Sequence, residues 1–253
     1  MRAFLKKEWM EVTRTGRLGI LLLIFVLFGI MNPAIAKLTP WMMELLSDSL
    51  AEAGFLIKDV NIDAITSWTQ FYKNIPMGLV IFALMCSGTF TGEYQKGTLI
   101  PVVTKGLPRW KIVAAKAVML MGMWTVLYLL CFGITYGYNA YFWDNRIARY
   151  LLFATACYWL FGIWVTALLV FFSSAVGSNT QVLLGTGAIC AGVYLIGRFP
   201  KINRYLPVKL TEGMPLLQGV VKPEDYAAAI AVAAGTAAIC TALSLWCFDR
   251  RQI

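Results

Sequence analysis

Apolar residues dominate six stretches of this chain, and short polar segments separate them. A helix that crosses a bilayer core about 30 Å thick needs roughly 20 mostly apolar residues. Six stretches approach or exceed that length, at approximately 18–36, 75–91, 117–138, 150–176, 182–197 and 227–248. The pattern predicts an all-α polytopic membrane protein in which residues 1–253 form a single transmembrane domain.

The first 17 residues predict a helix that lies on the inner membrane surface. Leu5, Trp9 and Val12 recur at helical spacing, and charged residues fill most positions between them. An amphipathic helix of this kind is typical of the membrane interface. A frayed basic tail is the alternative. The apolar stretch that follows is too long for a cleaved signal peptide and lacks a clear cleavage site, so we expect it to be retained as a span.

The long segment between the first two spans predicts two short helices on the outer side. Thr39-Pro40 has the residues of a helix start, with threonine as the cap and proline at the first helical position. Residues 61–73 predict a second helix, capped by Asn61 or Asp63. Its aromatic residues suit an interfacial belt and are Trp68, Phe71 and Tyr72.

The segment at 198–226 predicts a re-entrant element between the fifth and sixth spans. It contains four prolines and is too long for a turn. We expect short helices that dip toward the outer leaflet, because apolar residues lie among the prolines. These apolar residues are Met214, Leu216, Leu217 and Val220.

Composition excludes a soluble protein, and the charges orient the spans. The chain is 59% hydrophobic, and only 14% of its residues are charged. With both termini inside, the inner segments carry twelve Lys and Arg against four acidic residues, and the outer segments carry ten against nine. The positive-inside tendency therefore predicts cytoplasmic N and C termini. The basic segment 198–222 is the exception on the outer side, and its role is left open.

The remaining composition argues against several kinds of chemistry. The chain has a net charge of +9 but no basic soluble domain, so we expect contact with the lipid bilayer and not with nucleic acid. It has no histidine, and its six cysteines form no CxxC pair, so no catalytic or metal site is predicted. The interiors of the spans contain almost no ionisable residue. A proton relay is therefore disfavoured, and an external energy source is favoured.

The segment between the second and third spans has the most distinctive pattern. Glu93 ends the second span, Gly97 is expected to break or bend the helix, and a basic stretch continues to Lys116. Residues 92–98 imitate a phosphate-binding loop, but Thr98 stands where that motif needs lysine, and a membrane helix precedes the loop instead of a strand. From the residues alone, a basic connector shaped by the positive-inside tendency explains this segment equally well.

The spacing within this segment resembles that of the permease subunits of type-2 ABC exporters. The shared pattern is Glu-x3-Gly-Thr-Leu, then Arg twelve residues after the glycine and Lys seven residues later. In this chain its members are Glu93, Gly97, Thr98, Leu99, Arg109 and Lys116. The six spans, the amphipathic first helix and the re-entrant segment are also similar to that family. The chain departs from it at Gly106, where many members have proline.

The resemblance implies a partner and a mechanism. Residues 97–112 would form a cytoplasmic coupling helix that docks into a separate ABC ATPase subunit, and Glu93 would pin the second span to the first helix or to the ATPase. ATP and Mg²⁺ would bind the ATPase, so we expect no cofactor on this chain and no enzymatic activity of its own. A second permease chain, identical or different, would complete the pathway.

The function implied is export across a bacterial plasma membrane. The substrate would be a peptide, an antibiotic or another amphipathic molecule, which the spans themselves do not identify. The alternative is a non-transporting membrane protein that senses an antimicrobial peptide or confers immunity to it. An adjacent gene that encodes a phosphate-binding loop would favour the exporter.

Overall fold

The computed structural model of the chain describes residues 2–45, 63–95, 97 and 108–250, and these contain helices and turns but no strand. The longer helices are α1 (Arg2–Arg14), α2 (Arg17–Leu45), α3 (Ala64–Cys86), α4 (Gly88–Gln95), α5 (Arg109–Phe142), α6 (Leu151–Ala175), α7 (Asn179–Ile196) and α10 (Ala227–Arg250). The short helices α8 (Pro200–Asn203) and α9 (Met214–Leu217) lie between α7 and α10. The all-α prediction is confirmed.

Among the described residues, six segments are long and apolar enough to cross a membrane, as the sequence predicts. They are Arg17–Met42, Ala64–Glu93, Arg109–Phe142, Leu151–Ala175, Asn179–Ile196 and Pro223–Asp249. Because the number is even, the N-terminal helix and the end of α10 lie at the same end of the bundle. Arg109 Nη1, at the start of α5, donates to Asp249 O near the end of α10 at 2.8 Å. We call this end the termini-side end and the other the opposite end.

The predicted helix start at Thr39-Pro40 is wrong. Helix α2 continues through Pro33 and Pro40 to Leu45, well past the predicted end of the first span. The Thr39 hydroxyl donates back to Ile35 O at 2.8 Å, as a residue inside a helix does, and does not cap a new one. Proline removes one backbone donor, which a long helix tolerates when neighbouring groups satisfy the freed carbonyl.

The second span begins earlier than predicted. Asp63 is a cap, since its side chain accepts from Thr66 N at 3.1 Å, but the helix that it starts is α3 itself and not a separate short helix over residues 61–73. The predicted aromatic belt is also wrong, because its three residues lie in the core. Trp68 and Phe71 are fully buried, and the Trp68 ring lies 5.4 Å from that of Phe132 on α5.

Aromatic rings join α5 to α6 at the centre of the bundle. The Trp124 ring stacks on Tyr128 at 5.4 Å, and Tyr128 stacks on Tyr158 of α6 at 6.0 Å. Two of these rings also donate to backbone carbonyls of α6, Trp124 Nε1 to Trp159 O at 3.2 Å and Tyr128 Oη to Thr155 O at 2.9 Å. Gly162 on α6 provides the space for Trp124, because a Cβ atom at that position would overlap the indole ring.

A buried polar network links the first three spans. Asn32 on α2 donates to Thr135 Oγ1 on α5 at 3.1 Å and accepts from Asn74 Nδ2 on α3 at 2.8 Å. Thr135 in turn donates to Gly29 O at 3.1 Å. Inside a membrane protein such side-chain bonds fix which faces of neighbouring helices meet. The apolar pattern of the spans did not predict this network.

The segment at 198–226 consists of short helical turns at the opposite end, as the sequence predicts. Helices α8 and α9 alternate with 3₁₀ turns at Pro207–Thr211 and Pro223–Tyr226. Leu216 and Leu217 are buried, and the Tyr226 hydroxyl donates to Glu212 O at 2.7 Å. The segment is thus packed onto the bundle, and its re-entry into a leaflet stays a prediction.

Candidate functional site

The first helix packs on the bundle through a face that includes Leu5 and Val12, as its pattern indicates, but that also includes Phe4 and Glu8 and excludes Trp9. Phe4 and Glu8 are the buried residues of α1, Leu5 and Val12 are partly buried, and Trp9 is 53% exposed. The sequence placed Trp9 on the apolar face and Glu8 among the polar positions. That assignment is wrong because Glu8 has a charged partner inside the bundle, and this partner turns the helix so that Glu8 faces inward.

The partner of Glu8 is Lys116, a fully buried lysine two turns into α5. Its ammonium lies 2.9 Å from Glu8 Oε2, 2.9 Å from Glu93 Oε2 and 3.0 Å from the carbonyl of Thr89. The ring of Phe90 lies 5.2 Å from the same nitrogen. Lys116 therefore joins α1, α4 and α5, and polar and aromatic groups surround its charge.

Glu93 lies at the end of the second span and is only 5% exposed. Besides Lys116, it contacts Lys7 of α1 in an ion pair. Its Oε2 atom has no hydrogen-bond partner in the described part of the chain, so its contact with Lys116 is an ion pair without hydrogen-bond geometry. Glu93 is thus attached to the first helix, which is one of the two attachments that the family resemblance implies.

Lys7 completes what we call the ion cluster, namely Lys7, Glu8, Glu11, Glu93 and Lys116. Its ammonium contacts Glu93 and lies 3.2 Å from both Glu8 Oε1 and Glu11 Oε2. Burial alone would lower the pKa of Lys7, but its ion pairs with Glu93, Glu8 and Glu11 outweigh that effect and raise the pKa above its ordinary value. The lysine stays charged at neutral pH.

Three carboxylates come close enough in the ion cluster to suggest a cation site. Oxygen atoms of Glu8, Glu11 and Glu93 lie within 4.8 Å of one another. The Lys7 ammonium contacts all three groups and so occupies the position that a metal ion would take. The geometry indicates a set of ion pairs that holds helices together.

Burying these charges costs desolvation free energy, and the ion pairs offset that cost only when all members of the ion cluster are present. Moving an ion out of water costs several kcal/mol, which a partner repays when the geometry is good. Lys116 alone has two carboxylates and one carbonyl in contact. Loss of one member would leave another charge buried without its partner. The cluster therefore fixes the position of α1 against the ends of the second and third spans.

The other predicted site residues lie beside the ion cluster or outside the described residues. Helix α4 ends at Gln95, and Gly97 has a φ of +65°, a conformation that favours glycine, so its predicted role as a helix breaker is confirmed. Arg109 is the first residue of α5. Thr98, Leu99 and most of the predicted coupling helix at 97–112 lie outside the described residues.

A second contact extends the site to the fifth span. The hydroxyl of Thr91 on α4 contacts the side chain of Asn179, the first residue of α7. Gly88 approaches the same side chain so closely that a Cβ atom would lie 3.0 Å from Asn179 Nδ2. The short helix α4 therefore contacts the start of α7 and, through Glu93, the first helix.

Sequence reasoning found Glu93 and Lys116 but missed their partners on α1. Phe4 and Glu8 are one turn apart, so the packed face was visible as an aromatic and an acidic residue at i and i+4. The first helix carries two carboxylates and four basic residues, and the sequence gave no reason to choose one ion pair over another. The structure resolves the choice in favour of Lys116.

These features define a polytopic α-helical membrane protein whose spans are tied at one end by buried ion pairs. A family model described as "ABC-2 family transporter protein" matches residues 2–200, which is most of the chain. The chain therefore belongs to the ABC-2 transporter family. It is a membrane subunit and not itself the catalytic ATPase, and the family implies an ABC ATPase subunit as its partner. No curated protein and no solved structure is significantly similar to the chain.

Proposed function

We propose that this protein is the membrane-spanning subunit of an ATP-driven exporter of amphipathic molecules. ATP and Mg²⁺ bind a separate ATPase subunit on the cytoplasmic side of a bacterial plasma membrane, where both termini of this chain also lie. Two membrane subunits form the conduit. Closure of the ATPase dimer moves the docked coupling segment, and the spans change their access from one side to the other.

The observation that carries this proposal is the ion cluster at the base of the coupling segment. Residues 97–108 connect α4 to α5, and both flanking helices are held by the cluster through Glu93 and Lys116. A force applied to the segment therefore acts on α1 and on two spans together. The contact of Thr91 with Asn179 extends this connection to α7.

Co-purification with an ABC ATPase tests the partnership. The chain is expressed with an ATPase encoded by a neighbouring gene, and the complex is isolated through a tag on the membrane subunit. We expect a stable complex and, in inside-out vesicles, ATP-dependent accumulation of fluorescent amphipathic peptides. Absence of a complex together with ATP-independent peptide distribution would reject the exporter and leave the sensing or immunity function.

Charge removal at Glu93 and Arg109 tests the coupling role. We expect the double variant Glu93→Ala, Arg109→Ala to insert into the membrane and bind the ATPase, while ATP hydrolysis no longer drives accumulation of the peptides. Lys201→Gln is a matched control, because it removes an exposed charge from α8 at the opposite end. Transport by the double variant at the level of the control would reject the proposed roles.

A further inference from the structure

An apolar cavity of about 570 Å³ lies between α3, α6 and α7. Its volume is within the range of about 300–1,000 Å³ that is typical of ligand sites. Leu79 and Ala83 of α3 and Phe161 of α6 form one side. Residues at helical spacing on α7 form the other side and are Leu183, Thr186, Gly187, Cys190, Ala191 and Tyr194. Gly187 and Ala191 are small, which leaves the cavity wide beside α7.

A polar cavity of about 280 Å³ adjoins the apolar one toward the opposite end of the bundle. The two share Tyr194, Val208 and Thr211 in their walls. The polar cavity is further lined by Arg198 and Glu212. Together they form a space that is apolar along the helices and polar where α7 ends, which is the distribution of an amphipathic molecule.

The charge at the polar end favours an anion. Glu212 is already neutralised, since Lys209 Nζ lies 2.6 Å from its Oε2 and Asn203 Nδ2 donates to its Oε1 at 2.8 Å. Arg198 contacts the Tyr194 hydroxyl at 3.1 Å, and in the described part of the chain no carboxylate pairs with it. An uncompensated guanidinium beside an apolar cavity suits a phosphate or carboxylate headgroup.

The same residues explain the basic segment that the positive-inside tendency left unexplained. Residues 198–222 contain five basic residues and one acidic residue, Glu212, all at the end away from the termini. The outer segments as a whole carry ten basic against nine acidic residues. The positive surplus is thus confined to 198–222, where it would raise the local concentration of anionic amphiphiles beside the polar cavity. Two buried polar atoms in the walls of the cavities, Thr186 Oγ1 and Asn203 Oδ1, have no hydrogen-bond partner among the residues that the structure describes.

We propose that these two cavities bind one anionic amphiphile, with its alkyl tail between α3, α6 and α7 and its headgroup on Arg198. The tail covers the apolar walls of the cavity, and the headgroup pairs with the Arg198 guanidinium, whose contacts among the described residues include the hydroxyl and ring of Tyr194 but no carboxylate. The site belongs to this chain alone. Its test therefore needs no ATPase, and failure of the exporter proposal would leave it standing.

Binding is measured with the full chain in nanodiscs of zwitterionic phosphatidylcholine. Hexadecyl phosphate is the probe, and hexadecanol, with the same tail and an uncharged head, is the reference. Native mass spectrometry counts the molecules retained per protein after release from the disc. We expect one hexadecyl phosphate per chain at saturation and at least about tenfold weaker retention of the reference, as the loss of one charge-assisted hydrogen bond gives.

Two variants separate the headgroup contact from the tail cavity. Arg198→Gln is expected to weaken the binding of hexadecyl phosphate about tenfold and to leave the binding of the reference unchanged. Lys201→Gln removes an exposed charge from α8 and is expected to change the binding of neither. Gly187→Leu fills the tail cavity and is expected to abolish retention of both. Its control is Gly192→Leu. Gly192 lies on the same helix but does not line the cavity, and at both glycines an added Cβ atom would meet open space.

The proposal is overturned if the substitutions at these positions do not change the retention of the probe. If Arg198→Gln and Lys201→Gln bind hexadecyl phosphate equally well, the proposed headgroup contact is ruled out. If Gly187→Leu binds as well as the wild type, the proposed tail site is ruled out. The source of the natural ligand is decided by lipid analysis of the chain purified from its own membranes. A co-purifying anionic phospholipid indicates a resident lipid, whereas an empty site that binds the probe and releases it when an ATPase partner hydrolyses ATP indicates a transported substrate.

Discussion

Replacement of Lys116 by methionine tests whether the ion cluster holds the termini-side end together. Methionine has nearly the length and shape of lysine without its charge, so the change removes the ammonium and little packing. Lys116 is fully buried, and its loss leaves Glu8, which is 2% exposed, with Lys7 as its remaining cation at 3.2 Å. Glu93 likewise loses one of its two ion pairs.

The expected cost follows from the burial of the carboxylates left behind. Removing one partner of a buried ion pair costs about 3–5 kcal/mol, because the other charge stays out of water without compensation. At about 2–4 °C per kcal/mol for a chain of this size, the melting temperature is expected to fall by about 6–20 °C. The change is measured with a thiol-reactive fluorescent dye, which unfolding admits to the buried cysteines Cys86, Cys131 and Cys157.

The control is Lys111→Met, one turn earlier on α5. Lys111 is half-buried, and its nitrogen lies 5.5 Å from the Trp110 ring, so we expect a loss of about 1 kcal/mol or less. Adding Glu8→Gln to Lys116→Met removes the stranded carboxylate, and the double variant is expected to lose less stability than the sum of the single changes. A melting temperature for Lys116→Met equal to that of the control, or strictly additive losses, would refute the reasoning.

Three further changes use the same dye assay. Gly162→Ala pushes a Cβ into the buried indole ring and should cost about 1–3 kcal/mol, whereas Gly122→Ala has open space and should cost nothing; equal effects would contradict the packing. Asn32→Leu should cost about 1–2 kcal/mol, and its coupling to Thr135→Val should be about 0.6 kcal/mol, with zero coupling as the contrary result. Because the pKa of Lys7 is raised in the folded state, its stabilisation is fully present below about pH 10.5 and is lost gradually as the pH rises from there through the raised folded pKa. The melting difference between wild type and Lys7→Met should therefore be constant from pH 6 to 9, and a steady decline across that range would contradict the ion pairs.

The apolar pattern was sufficient for the spans because length and hydropathy are properties of each segment alone. The sequence prediction failed at Thr39-Pro40, where local capping residues suggested a helix start but the long helix α2 continues. It also failed for Trp68, since an aromatic residue near a span end suits both a membrane interface and a helix contact. Which of these occurs depends on the neighbouring helix, and a local pattern does not contain that information.

The candidate site was likewise predictable from the sequence only in part. The family pattern singled out Glu93 and Lys116, which share one segment, but their partners on α1, Lys7 and Glu8, are 86 and 108 residues away in sequence. With four acidic residues among the inner segments, several ion pairs were possible for Lys116. The packing of α1 selects Glu8, and Phe4, one turn earlier on the same helix, is buried as well.

The charges at the two ends of the bundle are arranged in opposite ways, and this separates their effects. At the termini-side end, Glu8, Glu93 and Lys116 are buried, and the two carboxylates share the ammonium groups of Lys116 and Lys7. Since apolar residues could fill such a space with equal or greater stability, the distinctive effect of buried pairs is to specify how the helices meet. At the opposite end, Arg198 is exposed and unmatched by a carboxylate among the described residues, so it adds attraction for anions and little to packing. Neutralising the first end should therefore alter how movements are transmitted, whereas neutralising Arg198 should alter only what is bound.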